Sequence, residues 1–149
     1  MFIFVLFMKT SASQYAQCLY FTSAALARKV EKLAIESWKK IGLSPSHAYL
    51  LNTVLNEPGI QPTSLSEHLQ LQPSTITRLV EKLEEKKLVV RTTEGKVTNV
   101  YPTPKAKELQ PKMLECMKEF SEKYSSLLGA DESCKLVQTM AKFADKLGN

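Results

Sequence analysis

The chain has 149 residues, 44% of them hydrophobic, and its 20 basic and 15 acidic residues give a formal net charge of +5. This length predicts a single domain over residues 1–149, and the positive charge favours a polyanion such as nucleic acid as the partner. Three widely spaced cysteines and two histidines without ligand spacing argue against a disulfide framework, a zinc site or another cofactor, and suit a reducing cytoplasm.

The first seven residues, Met1 to Phe7, form an apolar segment. It lacks the basic start and the cleavage site of a secretion signal, and it is far too short to cross a bilayer, so we expect no membrane association. Because Met8 is followed by an ordinary polar start, we favour an over-extended start codon over a genuine apolar arm.

Helical periodicity governs the next part of the chain. A long amphipathic helix is predicted over residues 13–40, ending near Gly42. Ser44 as an N-cap and Pro45 at the first helical position predict a second helix, which a Pro-Gly pair closes. A short third helix is predicted to open at Thr63 and Ser64, with a possible capping box, and to end near residue 70.

A fourth helix is predicted from Pro73 to about residue 86, with its apolar residues on one side. At 100° per residue, Ser74 and Arg78 point away from that side, flanked by Thr75 and Thr77. These side chains can bond base edges in a major groove, arginine bidentately to guanine. Taken singly, however, such hydroxyls are more often helix caps and such an arginine an ordinary surface residue.

Two short runs rich in Val and Thr, residues 88–92 and 97–101, predict a β-hairpin that turns at Gly95. A capped short helix, a proline-started helix and a hairpin, in this order, are typical of a winged helix-turn-helix. We therefore predict a DNA-binding lobe over residues 44–103. Its candidate DNA contacts are Ser74, Thr75, Thr77, Arg78, Lys82, Arg91 and Lys96.

The C-terminal part is again helical. Thr103 and Pro104 begin a long fifth helix, which Pro111 should bend and Gly129 should end. Its apolar residues alternate four-and-three spacing like a coiled-coil seam: Leu109, Met113, Cys116, Phe120 and Leu127. A last amphipathic helix is predicted over residues 131–147. The apolar faces of these helices are larger than a small helix-turn-helix core can cover, so residues 13–42 and 104–147 are predicted to form a dimerisation region. Together with the hairpin, the helices predict a mainly α (α+β) fold.

Four segments resemble the multiple-antibiotic-resistance regulator (MarR) family of winged-helix transcription regulators: LSEHL from Leu65, STITRLVEKLE from Ser74, LVVR from Leu88 and TPKA from Thr103. The resemblance spans residues 19–147. It implies a bacterial homodimer, a repressor rather than an enzyme, whose helices 73–86 enter successive major grooves of a pseudo-palindromic double-stranded operator.

Two positions depart from the family pattern. The hairpin is several residues shorter than the family's wing and offers only Lys96 near its tip for a contact to DNA. The glycine expected before the first wing strand is replaced by Lys87, so the recognition helix either runs longer or ends in a strained left-handed conformation.

The resemblance also implies a small lipophilic or phenolic effector, bound between the dimer helices and the DNA-binding lobe. The aromatic and other residues that could line such a crevice are predicted to be core instead: Tyr20, Trp38, His47, Tyr49 and Met113. One subgroup of the family senses peroxides through a first-helix cysteine, and Cys18 lies close to that position. A buried inert thiol is the preferred interpretation of Cys18.

Two other functional classes compare with this one as follows. A winged-helix protein-interaction module without specific DNA binding is suggested by Glu81, Glu84 and Glu85 and by the net charge of only +2 between Thr63 and Lys105. An enzyme is not expected, because the chain shows no phosphate loop, nucleophile elbow or paired-carboxylate pattern.

Overall fold

The computed structural model describes residues 8–148; the apolar segment Met1 to Phe7, with the prediction made for it, and Asn149 lie outside that range. Six α-helices and one β-hairpin follow one another in the described chain. They are α1 (Leu19–Trp38), α2 (Pro45–Asn56), α3 (Pro62–Leu69), α4 (Pro73–Glu85), β1 (Val89–Glu94), β2 (Val97–Pro102), α5 (Pro104–Leu128) and α6 (Ala130–Leu147). This order confirms the predicted mainly α winged helix-turn-helix fold.

The helix starts that pair a cap with a proline lie where they were predicted. Ser44 Oγ accepts a hydrogen bond from the backbone N–H of His47 at 3.3 Å, and Thr103 Oγ1 accepts one from Ala106 at 3.3 Å. In both helices the proline occupies the first turn, where a missing N–H costs nothing. Local capping chemistry thus sets the starts of α2 and α5.

Two predicted helix starts are wrong. Residues 13–18 form turns, closed by a hydrogen bond from the Cys18 N–H to the Tyr15 carbonyl, and α1 begins only at Leu19. Helix α3 begins at Pro62, after Gln61, without the predicted capping box at Ser64. The fixed φ of Pro62 suits the first helical position, so the helix begins at this residue. The hydroxyls of Thr63 and Ser64 then lie inside the helix and do not serve as N-caps.

The hairpin is a two-residue turn with Glu94 paired to Val97. Gly95 takes φ 63° at the first central position, as a type II′ turn requires, and the first strand runs two residues further than predicted. An isolated β-bridge to the hairpin was not predicted. Ile60 pairs with Val100, and Gly59 donates its N–H to the Val100 carbonyl at 2.8 Å, which ties the hairpin to the loop before α3.

One hydrophobic core runs through the described residues. It joins the C-terminal half of α1 (Ala34, Trp38), helices α2 to α4, the hairpin and the N-terminal half of α5. Cys116, predicted to lie on a coiled-coil seam, is buried in this core instead. Met113, predicted both on that seam and as a core residue, is buried as well, whereas Leu127 on the same helix is 73% exposed. Only part of the predicted α5 seam is therefore available to a partner. No helix in residues 8–148 is long and apolar enough to cross a membrane.

Candidate nucleic-acid interface

The turn between α3 and α4 sets the angle between the two helices. Gln70 adopts a left-handed conformation (φ 54°, ψ 42°) directly after α3. The Leu71 N–H donates to the Ser66 carbonyl at 3.2 Å, and the Ser66 hydroxyl donates to the Leu71 carbonyl. These reciprocal bonds close the turn, so α4 leaves it in a defined direction.

Helix α4 is held in place by its inner side. Ile76, Val80 and Leu83 are at most 1% exposed and Leu79 is 9% exposed, all in the hydrophobic core. Burial of this stripe leaves the helix one orientation about its axis, because a rotation would bring charged residues into the core.

The opposite side of α4 faces solvent, as predicted. Ser74, Thr77, Arg78 and Lys82 are exposed, and Thr75 is half-buried at the edge. We call these five residues the outer face of α4. The structure therefore places the helical members of the predicted DNA-contact set side by side on one surface.

The side chains of the outer face differ in how free they are. The Thr77 hydroxyl donates to the Pro73 carbonyl at 3.0 Å, so its proton is used within the helix. Lys82 Nζ lies 3.1 Å from Glu85 Oε2. Arg78 forms no ion pair within residues 8–148, which leaves its guanidinium available to an external acceptor.

The two wing residues of the predicted set are separated by their contacts. Arg91 on β1 pairs through Nε with Oε1 of Glu84 on α4, and both side chains are about one-third exposed (35% and 31%). This contact fastens the wing to α4 rather than directing Arg91 outward. Lys96 sits in the exposed hairpin turn, and no ion pair in the described chain includes it.

The C-terminal end of α4 shows how the chain accommodates Lys87. This residue keeps the left-handed conformation, with φ 59°. Its N–H donates to the Glu84 carbonyl at 2.8 Å, and the Leu88 N–H donates to the Leu83 carbonyl at 2.9 Å. These two bonds define a Schellman motif, in which glycine is the usual residue at the left-handed position. The strained alternative stated for Lys87 is the one found.

A basic cluster surrounds this end of α4. Lys105 Nζ donates to the Lys86 carbonyl at 3.0 Å, a favourable position for a cation at a helix C-terminus. Burial, and then the positive charges of Lys86 and Lys82, lower the pKa of His47 below its ordinary value of 6.5.

Glu81 belongs to the exposed side of α4 but was not among the predicted contacts. It was counted only as an acidic residue that favours a protein partner. Its position three residues after Arg78 places it on the same side of the helix, and this spacing could have identified it.

The residues considered for an effector crevice fall into two groups. Trp38 and Met113 are fully buried, and the Trp38 ring meets the half-buried Tyr49 ring edge-on at 5.7 Å; His47 is also half-buried. Tyr20, by contrast, is 83% exposed, so its assignment to the core is wrong.

The prediction of a buried thiol at Cys18 is also wrong, because this residue is exposed at the N-cap of α1. The late start of α1 removes Cys18 from the helical face that would have buried it. Cys116 is the buried thiol, and burial raises its pKa. Within residues 8–148 no three His, Cys, Asp or Glu side chains are grouped to hold a metal ion.

Comparison with known proteins relates this surface to a family. A family model described as the MarR family matches residues 41–97, the segment that contains α2 to α4 and β1. Among curated proteins, the chain is 26% identical over 137 residues to the HTH-type transcriptional repressor MdtR of Bacillus subtilis (strain 168), covering 90% of this chain and 88% of MdtR.

Solved structures show the same fold at lower identity. The transcriptional repressor CouR, bound to a 23-mer DNA duplex, is 18% identical with a TM-score of 0.81, covering 93% of this chain and 99% of CouR. The PcaV transcriptional regulator from Streptomyces coelicolor, in complex with its natural ligand, is 20% identical with a TM-score of 0.76, covering 90% of this chain and 96% of PcaV.

Proposed function

We propose that the chain is a winged-helix transcription regulator of the MarR family, a homodimeric repressor that reads double-stranded DNA through the outer face of α4. The exposed outer face carries this proposal: Ser74, Thr77 and Arg78 project from a helix whose opposite side is locked in the core. A rigid helix with such a face can enter a major groove without rearrangement. A regulator of this kind is not an enzyme.

The charge distribution supports this function. Arg78 can bond the O6 and N7 atoms of a guanine, and Lys96 in the exposed hairpin turn can pair with a phosphate. Glu84 and Glu85 are neutralised within the chain by Arg91 and Lys82, so the recognition helix repels DNA less than its sequence suggests.

The decisive experiment is in vitro selection of duplexes from a randomised pool by the purified protein, followed by fluorescence anisotropy on the selected site. We expect a pseudo-palindromic site whose half-sites lie about one helical turn apart. Arg78→Ala should cost about 1–3 kcal/mol on that site and relax the preference at one base pair of each half-site. Full retention of affinity and preference by the double variant Arg78→Ala, Thr77→Ala would refute the assigned surface.

We propose that the dimer forms through the outer surfaces of α1 and α6. A groove between the start of α1 and the end of α6 is lined largely by apolar side chains, including Leu19, Tyr20, Met140, Phe143 and Leu147, the last of which is 79% exposed. Apolar surface of this kind is typical of subunit interfaces. The pairing would leave the outer face of α4 free in both copies.

Light scattering coupled to size exclusion tests the dimer. Phe143→Asp should shift the protein towards monomer and abolish binding to the two-half-site duplex. Gln138→Asp introduces the same charge on the opposite side of α6 and should leave the dimer intact. A wild-type monomer at micromolar concentration, or equal behaviour of the two variants, would contradict the proposed interface.

We further propose that the protein acts in the cytoplasm.

We also propose that a small lipophilic or phenolic effector releases the repressor from DNA. Support comes from PcaV, which was solved with its natural ligand, and from Trp38 Nε1, a buried donor without a hydrogen-bond partner in residues 8–148. A buried unpaired N–H costs roughly 1–3 kcal/mol, which a ligand acceptor would recover. Since Trp38 is the single tryptophan, its fluorescence reports binding directly. A panel of phenolic acids that changes neither Trp38 emission nor DNA affinity would count against this effector class.

A protein-interaction module without DNA binding is the alternative. Salt dependence separates the two functions, because several phosphate contacts make DNA affinity fall by orders of magnitude between low and moderate salt. Flat salt dependence together with failed DNA selection would favour the interaction module.

A further inference from the structure

Glu81 lies beside Arg78 on the surface that the proposed function assigns to DNA. With Ser74, Thr77 and Arg78 it falls at i, i+3, i+4 and i+7, which places four exposed residues in one stripe along α4. Arg78 and Glu81 are separated by three residues, hence by about 4.5 Å along the helix axis. That distance is close to the rise of about 3.4 Å between neighbouring base pairs.

The ionic contacts of α4 distinguish Glu81 from the acidic residues beside it. Glu84 is paired with Arg91, and Glu85 with Lys82. Glu81 forms no ion pair within residues 8–148. Its carboxylate is therefore the free negative charge on the helical stripe that meets DNA.

A free carboxylate on this surface lowers affinity for a polyanion unless the DNA offers it a hydrogen-bond donor. Phosphates offer none. In the major groove the donors are the exocyclic amino groups of cytosine and adenine, and a carboxylate, which only accepts, matches cytosine N4. Adenine also presents its N7 acceptor beside the amino group, and N7 would repel a carboxylate.

We propose that Glu81 is a specificity-determining residue, which accepts a hydrogen bond from the N4 amino group of a cytosine one base pair away from the base read by Arg78. This inference rests on the proposed function. In this role Glu81 disfavours sites that lack the cytosine amino group, because its desolvated carboxylate would then face a hydrogen-bond acceptor.

The test compares base preferences. Wild type, Glu81→Gln and Glu81→Ala are each used to select duplexes from a randomised pool, and affinities are measured on the wild-type site and on the same site with the proposed C·G pair changed to T·A. Glu85→Gln is the matched control, because it removes one negative charge from the same helix at a residue already paired with Lys82. Circular dichroism confirms that each variant is folded.

We expect the C·G to T·A change to weaken wild-type binding about tenfold to a hundredfold. The same change should have less than a twofold effect on Glu81→Ala, and selection by this variant should lose the preference at that one position of each half-site. Glu85→Gln should keep the wild-type preference.

Two results overturn the inference, and one of them leaves the proposed function standing. If Glu81→Ala binds all duplexes more tightly and keeps every wild-type preference, Glu81 acts only by repulsion, while the DNA-binding function holds. If wild type selects no sequence at all, the proposed function fails and the inference fails with it.

Discussion

The left-handed Lys87 makes a quantitative prediction about stability. In the structure its φ of 59° is enforced by the Schellman bonds at the end of α4. A residue with a Cβ atom pays roughly 1–2 kcal/mol in this conformation. Glycine avoids that cost but loses about 0.5–1 kcal/mol more backbone entropy on folding. Lys87→Gly should therefore stabilise the protein by about 0.5–1 kcal/mol, the difference between the two effects.

Lys86→Gly provides a matched control. Lys86 is the adjacent residue, carries the same charge and is also exposed, but its backbone is right-handed with φ −78°. Because Lys86 carries no left-handed strain, glycine at this position removes none. The backbone entropy cost alone should destabilise the protein by about 0.5–1 kcal/mol. Both variants lose one positive charge, so the general electrostatic effect is similar in the two.

Urea and thermal denaturation followed by circular dichroism measure the difference. At one fixed protein concentration, which oligomerisation requires, Lys87→Gly should melt roughly 1–4 °C above wild type and Lys86→Gly a similar amount below it. If the two variants lose the same stability, Lys87 carries no backbone strain, and the reasoning from its φ is refuted.

Three further predictions concern single side chains. Ser44→Ala removes the N-cap of α2 and should lower the free energy of unfolding by about 1 kcal/mol; an unchanged urea midpoint would contradict the capping role. Lys96→Ala should weaken all duplexes about equally and reduce the slope of log affinity against log salt by about 1, and loss of preference at one base pair would instead indicate base reading. Because the pKa of folded His47 is lowered below 6.5, its neutral form stabilises the fold above that pH and this contribution is lost as the pH falls. His47→Asn should accordingly flatten the decline in melting temperature below about pH 6.5, and an unaltered decline would exclude His47 as its source.

The parts of the fold that follow from neighbouring residues could be predicted. Ser44 and Thr103 sit directly before prolines, and Gly95 alone permits the positive φ of a tight turn, so each boundary depends on chemistry a few residues away. The inner and outer sides of α4 follow likewise from helical periodicity. Pro62 and Ser64 are both signals for the start of a helix, and the predicted start at Ser64 was wrong. The sequence alone does not show which of two such neighbouring signals sets the first helical residue.

The predicted DNA-contact set was only partly informative about side-chain roles. Arg78 and Arg91 are equivalent as residue types, yet the structure leaves the first unpaired within residues 8–148 and joins the second to Glu84 across the α4–β1 junction. Glu81 is distinguished from Glu84 and Glu85 in the same way. Exposure also had to be read from the structure, since a polar turn before α1 leaves Cys18 and Tyr20 outside the core.

The sequence by itself determined the order of helices and hairpin, the inner side of α4 and the presence of a basic, hydroxyl-bearing outer face, because periodicity and capping act between residues close in the chain. Only the tertiary structure decided which charges cancel, that Ile60 joins the wing, that Cys116 turns inward and that Lys87 remains left-handed. Those outcomes depend on contacts between distant segments, whose geometry is set when the core packs and not by any local pattern.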